Sequence, residues 1–187
     1  GRGLDISLKT ILAQRQSQLD LRFTDPAFLD REITAGVDIF STATDLQDTS
    51  SFDRDTIGFA VRGGYPITER LSQRWKYSLR QTDINDIDSS ASRFIRDQEG
   101  TTIRSEISHR IAYDRRDSAV TPTKGYIVRL TNDVAGLGGD ANYLRNRLHG
   151  VHFYSLKDQW VLASTASGGA VMGIGEDERL PARFFIG

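Results

Sequence analysis

The 187-residue chain contains no cysteine, so a disulfide framework, a zinc–thiolate site and a cysteine nucleophile are all excluded. Neither sign of charge is in excess, because 24 Lys and Arg residues stand against 25 Asp and Glu residues for a net charge of −1. A nucleic-acid-binding protein usually carries a basic excess. The composition therefore predicts no nucleic-acid partner.

Long apolar runs are also lacking. The longest uncharged run, Gln159–Gly175, has 17 residues and is rich in Gly and Ser. A membrane-spanning helix needs about 20 predominantly apolar residues, so this class of membrane protein is excluded. The mean hydropathy of −0.41 does not exclude a transmembrane β-barrel, because such a barrel shows only alternate residues to lipid and keeps a polar lumen.

Alternation of apolar and polar residues recurs along the chain, whereas helical periodicity is scarce. In Arg70–Gln81 one parity carries Arg74, Lys76 and Arg80, and the other carries mainly apolar and aromatic residues such as Trp75. Side chains alternate across a strand, so one face of this segment is cationic and the other is largely apolar. The segment is therefore predicted to be a strand that separates water from an apolar environment.

Two further segments repeat this pattern. Ile103–Tyr113 places Arg104 and Glu106 opposite an apolar face, and Tyr126–Val134 does the same with Arg129. The polar parities of these strands are predicted to face a water-filled lumen. The predicted lumen-facing residues are Arg74, Lys76, Arg80, Arg104, Glu106 and Arg129.

About nine strands are predicted in this way, mostly near the 9–11 residues that a tilted membrane strand requires. The apolar parity switches near Gly150, which predicts a β-bulge there. The connections fall into two sets: tight turns, three of them containing Pro26, Pro66 or Pro122, and often longer polar loops such as 41–55 and 82–100. Outer-membrane barrels show tight periplasmic turns and longer outer loops, so the Pro-containing turns are predicted to be periplasmic.

A soluble β-sandwich is the main alternative at this point, because it also hides one face of each strand. Charge on the polar face of strand after strand favours a water-filled lumen. The predicted strands are also longer than the five or six residues that are typical of soluble sheets. The pattern therefore favours an all-β, transmembrane antiparallel β-barrel, with the sandwich left open.

The segment YDRRDSAVTPTKGYIVRL, residues Tyr113–Leu130, ends one strand in a charged cluster and returns at once into another. It resembles a signature of the BamA family, the outer-membrane protein-assembly factors of the bacterial surface antigen superfamily. The family pattern is roughly Tyr-Asp-x-Arg-Asp, a few residues, and Pro-x-x-Gly-Tyr/Phe. The matching residues are Tyr113, Asp114, Arg116, Asp117, Pro122, Gly125 and Tyr126.

Three further segments resemble the same family in the same order. FTDPAFLDREITAGVDIF (Phe23–Phe40) is similar to its strand, turn and strand, and AGLGGDANYLR (Ala135–Arg145) is similar to its glycine-rich loop. LPARFFIG (Leu180–Gly187) is similar to the start of its long loop. The resemblance covers nearly the whole chain.

The resemblance implies that residues 1–187 form a section of about nine strands of a sixteen-strand barrel domain, without its periplasmic repeats and remaining strands. It implies location in the bacterial cell outer membrane and a role in folding and inserting outer-membrane proteins. The implied mechanism is lateral opening of a seam and templating of client strands, without ATP. The implied partners are the outer-membrane lipid bilayer, unfolded outer-membrane protein clients and assembly-complex lipoproteins.

Two other barrel functions stay open: a two-partner secretion or autotransporter-assembly barrel of the same superfamily, and a porin-like channel. Catalysis is not expected, since the chain shows no nucleophile elbow and no phosphate-binding glycine loop followed by a helix. His149 and His152 lack the helical setting of a metal pair, and His109 is predicted to be an interface or packing residue. We therefore expect no enzyme activity, no metal and no cofactor.

Overall fold

Antiparallel strands dominate the computed structural model, which describes residues 3–47, 52–87, 96, 99–157 and 160–174. A 3-10 turn at Phe28–Asp30 lies between the second and third strands. Within these residues, no helix is long and apolar enough to cross a membrane. The strands are β1 (Asp5–Ala13), β2 (Gln16–Asp25), β3 (Thr34–Asp45), β4 (Asp53–Pro66), β5 (Leu71–Asn85), β6 (Gly100–Asp114), β7 (Gly125–Ala135), β8 (Tyr143–Lys157) and β9 (Trp160–Gly173).

The nine strands form one sheet in which each strand pairs with its neighbours in the sequence. Every pairing is antiparallel, from β1–β2 through to β8–β9. β1 and β9 are the two edges of this open sheet. The predicted all-β antiparallel architecture of about nine strands is confirmed.

The register places alternate residues of every strand on the same side of the sheet. Val61 lies opposite Tyr77, Tyr77 lies opposite Ile107, and Ile107 lies opposite Val134. We call the side that carries these residues the apolar face, and the side that carries their sequence neighbours the polar face. A slip of one residue would exchange the two faces, so the hydrophobic pattern strongly specifies the register.

The described part of the chain does not cover its own apolar face. Large hydrophobic side chains there are strongly exposed, among them Ile6 at 70% and Leu12 at 81%. The only cluster of buried hydrophobic residues in these ranges is small, comprising Ala135, Ala141 and Tyr143. A soluble sandwich would bury such a face against a second sheet, and the described residues form a single sheet.

Three strands are longer than the alternating segments that predict them, because β4, β5 and β6 have 14 or 15 residues. The predicted length of 9–11 residues is wrong for these three, whereas β8 and β9 match the predicted segments Asn142–Leu156 and Trp160–Gly173 to within one residue. The extra pairs include Thr82 with Thr102 and Asp53 with Asn85, which are polar on both strands. Backbone hydrogen bonds extend the ladder there although no apolar alternation marks it.

The predicted bulge near Gly150 is wrong. Gly150 pairs in register with residues of both β7 and β9. The apparent change of parity arises because two apolar side chains, Val151 and Phe153, lie on the polar face near the turn that follows. The irregularity in the pairing of β8 with β9 lies instead between Ser155 and Lys157.

We predict that adjacent residues on β5 report different solvents when the intact barrel is embedded in a bilayer. This chain has no cysteine, so Trp75→Cys and Lys76→Cys would each introduce a single labelling site into it. Because the two side chains point to opposite faces, the label at position 75 should contact hydrocarbon and the label at 76 should contact water. Electron paramagnetic resonance with oxygen and a polar nickel complex measures this difference, and equal aqueous accessibility would contradict the two-face assignment.

Candidate functional site

The register places all the predicted lumen-facing residues on the polar face. Within the pairing of β5 with β6, Arg74 lies opposite Arg110, and Arg80 lies opposite Arg104. Lys76 lies opposite Ser108 in the same ladder. Glu106 and Arg129 share this face on β6 and β7. That the face lines a lumen stays a prediction.

A buried aspartate organises the centre of the polar face. Asp133 has no exposed surface and accepts hydrogen bonds from the Ser108 hydroxyl at 2.5 Å and from Arg145 Nε at 2.9 Å. A third donor, a terminal guanidinium nitrogen of Arg147, lies 2.8 Å from the same carboxylate. Charge-assisted hydrogen bonds of this kind offset the cost of removing the carboxylate from water.

Arg145 joins this cluster to a second carboxylate. Its terminal guanidinium nitrogen lies 3.4 Å from Glu106, which also accepts a hydrogen bond from the Tyr143 hydroxyl. The Arg145 guanidinium also lies 5.3 Å from the centre of the Tyr143 ring. These contacts tie β6, β7 and β8 together on the polar face. We call Glu106, Ser108, Asp133, Tyr143, Arg145 and Arg147 the polar network.

The sequence interpretation selected Glu106 from this network and missed the other members as site residues. Asp133 shares the parity of Arg129, so alternation alone places it on the polar face. Arg145 and Arg147 are harder to recognise, because Val151 and Phe153 put apolar residues on the same parity of β8. No sequence signal shows that Asp133 is buried, since burial depends on neighbours from two other strands.

The charged turn after β6 continues the strand pairing beyond both strands. Arg115 donates its backbone N–H to the Tyr126 carbonyl at 2.8 Å, and Asp117 donates its backbone N–H to the Lys124 carbonyl at 3.1 Å. The stretch between these residues is therefore closed by two rungs of backbone hydrogen bonds. This arrangement holds the motif residues of β6 close to those of β7.

Asp117 is the acceptor at the centre of this turn. Its carboxylate accepts hydrogen bonds from the backbone N–H of Ser118, Thr123 and Lys124 at 2.9–3.1 Å and from the Thr123 hydroxyl. The Thr123 hydroxyl and these backbone donors hold the pKa of Asp117 far below its usual range. An ionised carboxylate is therefore part of the folded turn.

Asp114 and Arg116 form a two-point ion pair beside it. Arg116 Nε lies 3.0 Å from one Asp114 oxygen, and a terminal nitrogen lies 2.7 Å from the other. The Arg116 backbone N–H also donates to Asp114 at 3.0 Å, and its side chain reaches the Ala119 carbonyl at 3.3 Å. The hydrogen bonds to Asp114 raise the pKa of Arg116 above its ordinary value.

Gly125 has a φ of +94°, a backbone conformation that L side chains rarely adopt. A Cβ atom at this position would also overlap the backbone carbonyl oxygen of Arg115. The rings of Tyr113 and Tyr126 lie 6.1 Å apart on the apolar face, immediately before and after the turn. Pro122 lies between Asp117 and two of its donors, Thr123 and Lys124. The structure thus brings together the seven residues of the predicted motif.

The glycine-rich loop covers the part of β6 that β7 does not reach. Gly136 donates its backbone N–H to the Ser105 carbonyl at 3.3 Å, and Asp140 donates to the Ile103 carbonyl at 2.8 Å. The Asp140 carboxylate accepts the Ile103 N–H at 2.7 Å. Leu180–Gly187, the other loop compared with the family, lies outside the described residues.

The histidines do not converge on a common site. His149 and His152 lie on opposite faces of β8, since their positions differ by an odd number. His109 stacks on Trp75 with ring centres 4.1 Å apart and lies 3.3 Å from the Gln73 amide oxygen. Among the described residues, no group of three or more His, Asp or Glu side chains could hold a metal ion.

Comparison with known proteins decides the family. The model of the Omp85 superfamily domain matches residues 1–187, the whole chain. The chain belongs to the Omp85 superfamily. This membership agrees with the turn motif and the order of the four resembling segments, and it places the chain in an outer membrane.

Two curated relatives of this Omp85 chain are similar to it along most or all of its length. It is 30% identical over 190 residues to the outer membrane protein assembly factor BamA of Nitratidesulfovibrio vulgaris, covering all of the chain and 24% of that protein. It is 31% identical over 157 residues to a SAM50-like protein of Drosophila melanogaster, covering 80% of the chain and 35% of that protein. The chain therefore spans between a quarter and about a third of these relatives.

A solved structure shows the same fold. The crystal structure of BamA from Haemophilus ducreyi lacking POTRA domains 1–3 superposes with a TM-score of 0.75 at 16% identity. The match covers 93% of this chain and 36% of that one. The open sheet of this Omp85 chain therefore has the strand arrangement of part of a BamA barrel, which favours the barrel over the soluble sandwich.

We predict that Gly125→Ala destabilises the barrel by at least ~2 kcal/mol, because the substitution combines a strained φ with a clash against backbone. Gly138→Ala is the matched control, since Gly138 also has a positive φ, +77°, and has open space around its position. The control should cost only about 1 kcal/mol. Denaturant unfolding of the barrel in lipid vesicles measures both values, and equal costs would show that the Arg115 contact is unimportant.

We predict that Asp133→Asn lowers the free energy of unfolding by about 3 kcal/mol, because it removes the carboxylate that pairs with Arg147 and leaves Arg145 with only the more distant Glu106. Asp5→Asn, at an exposed position of β1, is the control and should stay within ~0.5 kcal/mol of the wild type. The same unfolding titration applies. If Asp133→Asn lowers the free energy of unfolding no more than the control does, the polar network does not stabilise the barrel.

Proposed function

We propose that this chain forms part of the wall of an outer-membrane barrel that folds and inserts other β-barrel proteins. The observation that carries the proposal is the single sheet with one continuous apolar face and one charged face, in a member of the Omp85 superfamily. The bacterial relative described above is named an outer membrane protein assembly factor. This name favours assembly over a secretion pore or a porin-like channel.

The proposed mechanism uses the edges of strands and no catalytic group or ATP. A seam between the first and last strands of the complete barrel opens sideways, and a client strand adds to the exposed edge by β-augmentation. Unpaired N–H and C=O groups at an edge are a template for a new strand. The partners are thus unfolded outer-membrane protein clients, the lipid bilayer and assembly-complex lipoproteins.

Within this mechanism, the chain supplies fixed wall rather than the seam. The β4–β5 ladder runs without interruption from Asp53 opposite Asn85 to Pro66 opposite Ser72. The β5–β6 ladder runs from Leu71 opposite Tyr113 to Ile84 opposite Gly100. Opening such long ladders inside hydrocarbon would leave many backbone groups unpaired, at several kcal/mol each. A seam that opens readily needs fewer hydrogen bonds than these strands make.

We expect the intact barrel protein, reconstituted in lipid vesicles with its partner lipoproteins, to accelerate the folding of a small outer-membrane barrel client. The rate is measured by the change in client mobility on an unheated gel, which separates folded from unfolded barrels. Vesicles containing a porin provide the control for a generic defect in the bilayer. An engineered disulfide between Tyr77→Cys and Ile107→Cys, neighbours on β5 and β6, should leave client folding unchanged, because this part of the wall stays closed.

Two results would contradict the proposal. Client folding no faster than with the porin, together with ion conductance through the barrel, would indicate a channel. Loss of client folding when β5 and β6 are joined would show that the wall opens at these strands.

A further inference from the structure

A group of three arginines on the polar face lies beside the turn motif. Arg74 and Arg110 lie directly opposite each other on β5 and β6, and Arg129 lies one step nearer the turn on β7. Like charges placed opposite each other destabilise a sheet. Among the described residues, no carboxylate lies within ion-pairing distance of these three arginines. Asp114 attracts Arg129 electrostatically over a longer distance, but its carboxylate is already paired with Arg116.

The three arginines line one cavity of about 570 Å³, which we call the cationic cavity. Arg116, Arg147, His149 and the carboxylate of Asp114, which is paired with Arg116, line it as well. Arg116 and Arg147 are held by the carboxylates described above, and Arg110 Nε donates to the Thr131 hydroxyl at 3.3 Å. Several cationic groups are therefore fixed in place before any ligand arrives, which lowers the entropic cost of binding an anion.

We propose that the cationic cavity binds an acidic polypeptide segment, whose carboxylates pair with Arg74, Arg110 and Arg129. Guanidinium groups bind carboxylates through two parallel hydrogen bonds. The three arginines lie on three adjacent strands, and Arg129 is displaced by two residues along the sheet from the Arg74–Arg110 pair. A ligand with several carboxylates along a chain can therefore reach all three better than one compact anion can. Lipid meets the opposite, apolar face, which disfavours a lipid headgroup.

The site goes beyond the proposed function, because an acidic segment could bind here in any barrel that encloses this face. The segment has two possible sources: a loop of the same barrel or a different polypeptide. A photo-crosslinking amino acid at Ser72, which lines the cavity, distinguishes them. Mass spectrometry of the crosslinked peptide identifies the source, and either source supports the proposal only if the captured segment carries two or more acidic residues.

The direct test measures binding of a fluorescent poly-glutamate peptide to the intact barrel protein in nanodiscs of uncharged lipid. Fluorescence anisotropy at low salt should show binding that weakens as salt is added. The double variant Arg74→Gln/Arg110→Gln should bind roughly tenfold more weakly or worse. Lys9→Gln removes one exposed cation from the same face on β1 and is the matched control, which should bind as the wild type does.

A stability measurement separates binding from a structural role. Removing two opposed cations should leave the Tm unchanged or raise it, whereas a structural role would lower it. Wild-type affinity in the double variant, equal binding of a poly-glutamine peptide, or equally tight binding of inorganic phosphate would each overturn the proposal. If the double variant does not fold, two other results are required. Arg129→Gln alone must weaken poly-glutamate binding, and crosslinking from Ser72 must capture an acidic segment. Failure of either test would overturn the proposal.

Discussion

The pairing of backbone N–H and C=O groups across the strands is the constraint on which the rest of this structure depends. Hydrocarbon offers no hydrogen-bond partner, so every group within the bilayer must pair inside the sheet. That requirement explains the continuous pairing along the alternating core of each strand, and the turn after β6 adds backbone rungs at Arg115 and Asp117 beyond it. It also fixes the register, and the register in turn fixes which side chains meet lipid.

The same constraint explains where the charges lie. With one face given to hydrocarbon, all ionic chemistry is confined to the polar face and the two rims. On the polar face, Asp133 is fully buried and is held by two arginines and a serine from neighbouring strands. At the rim, Asp117 is held by backbone donors of its own turn. One carboxylate therefore joins strands, while the other shapes a single connection.

The cationic cavity shows a different balance. Arg74 and Arg110 lie opposite each other, and the repulsion between them destabilises the sheet. Arg145 on β8, in contrast, is neutralised by Glu106 and Asp133. Among the described residues no carboxylate pairs with either arginine. The proposed acidic ligand would supply the missing charge.

Alternation was enough to predict the all-β class, the two faces and the polar-face position of residues such as Lys76 and Glu106, because side chains in a strand alternate strictly. The order of residues around Asp117 and Gly125 was enough to indicate the turn and the family. Strand ends escaped prediction, since polar pairs such as Thr82 with Thr102 carry no periodic signal. Gly150 was misread for a related reason: two apolar residues on the polar face resemble a change of register.

The sequence by itself thus determined which residues share a face, because that depends only on the spacing along one chain. The tertiary structure alone decided which residues of different strands meet. The stagger, which is the offset of one strand along its neighbour, decides two contacts. It buries Asp133 between Ser108, Arg145 and Arg147, and it places Arg74 opposite Arg110. Stagger depends on which backbone groups of two neighbouring strands pair with each other, so the alternation within either strand alone does not reveal it.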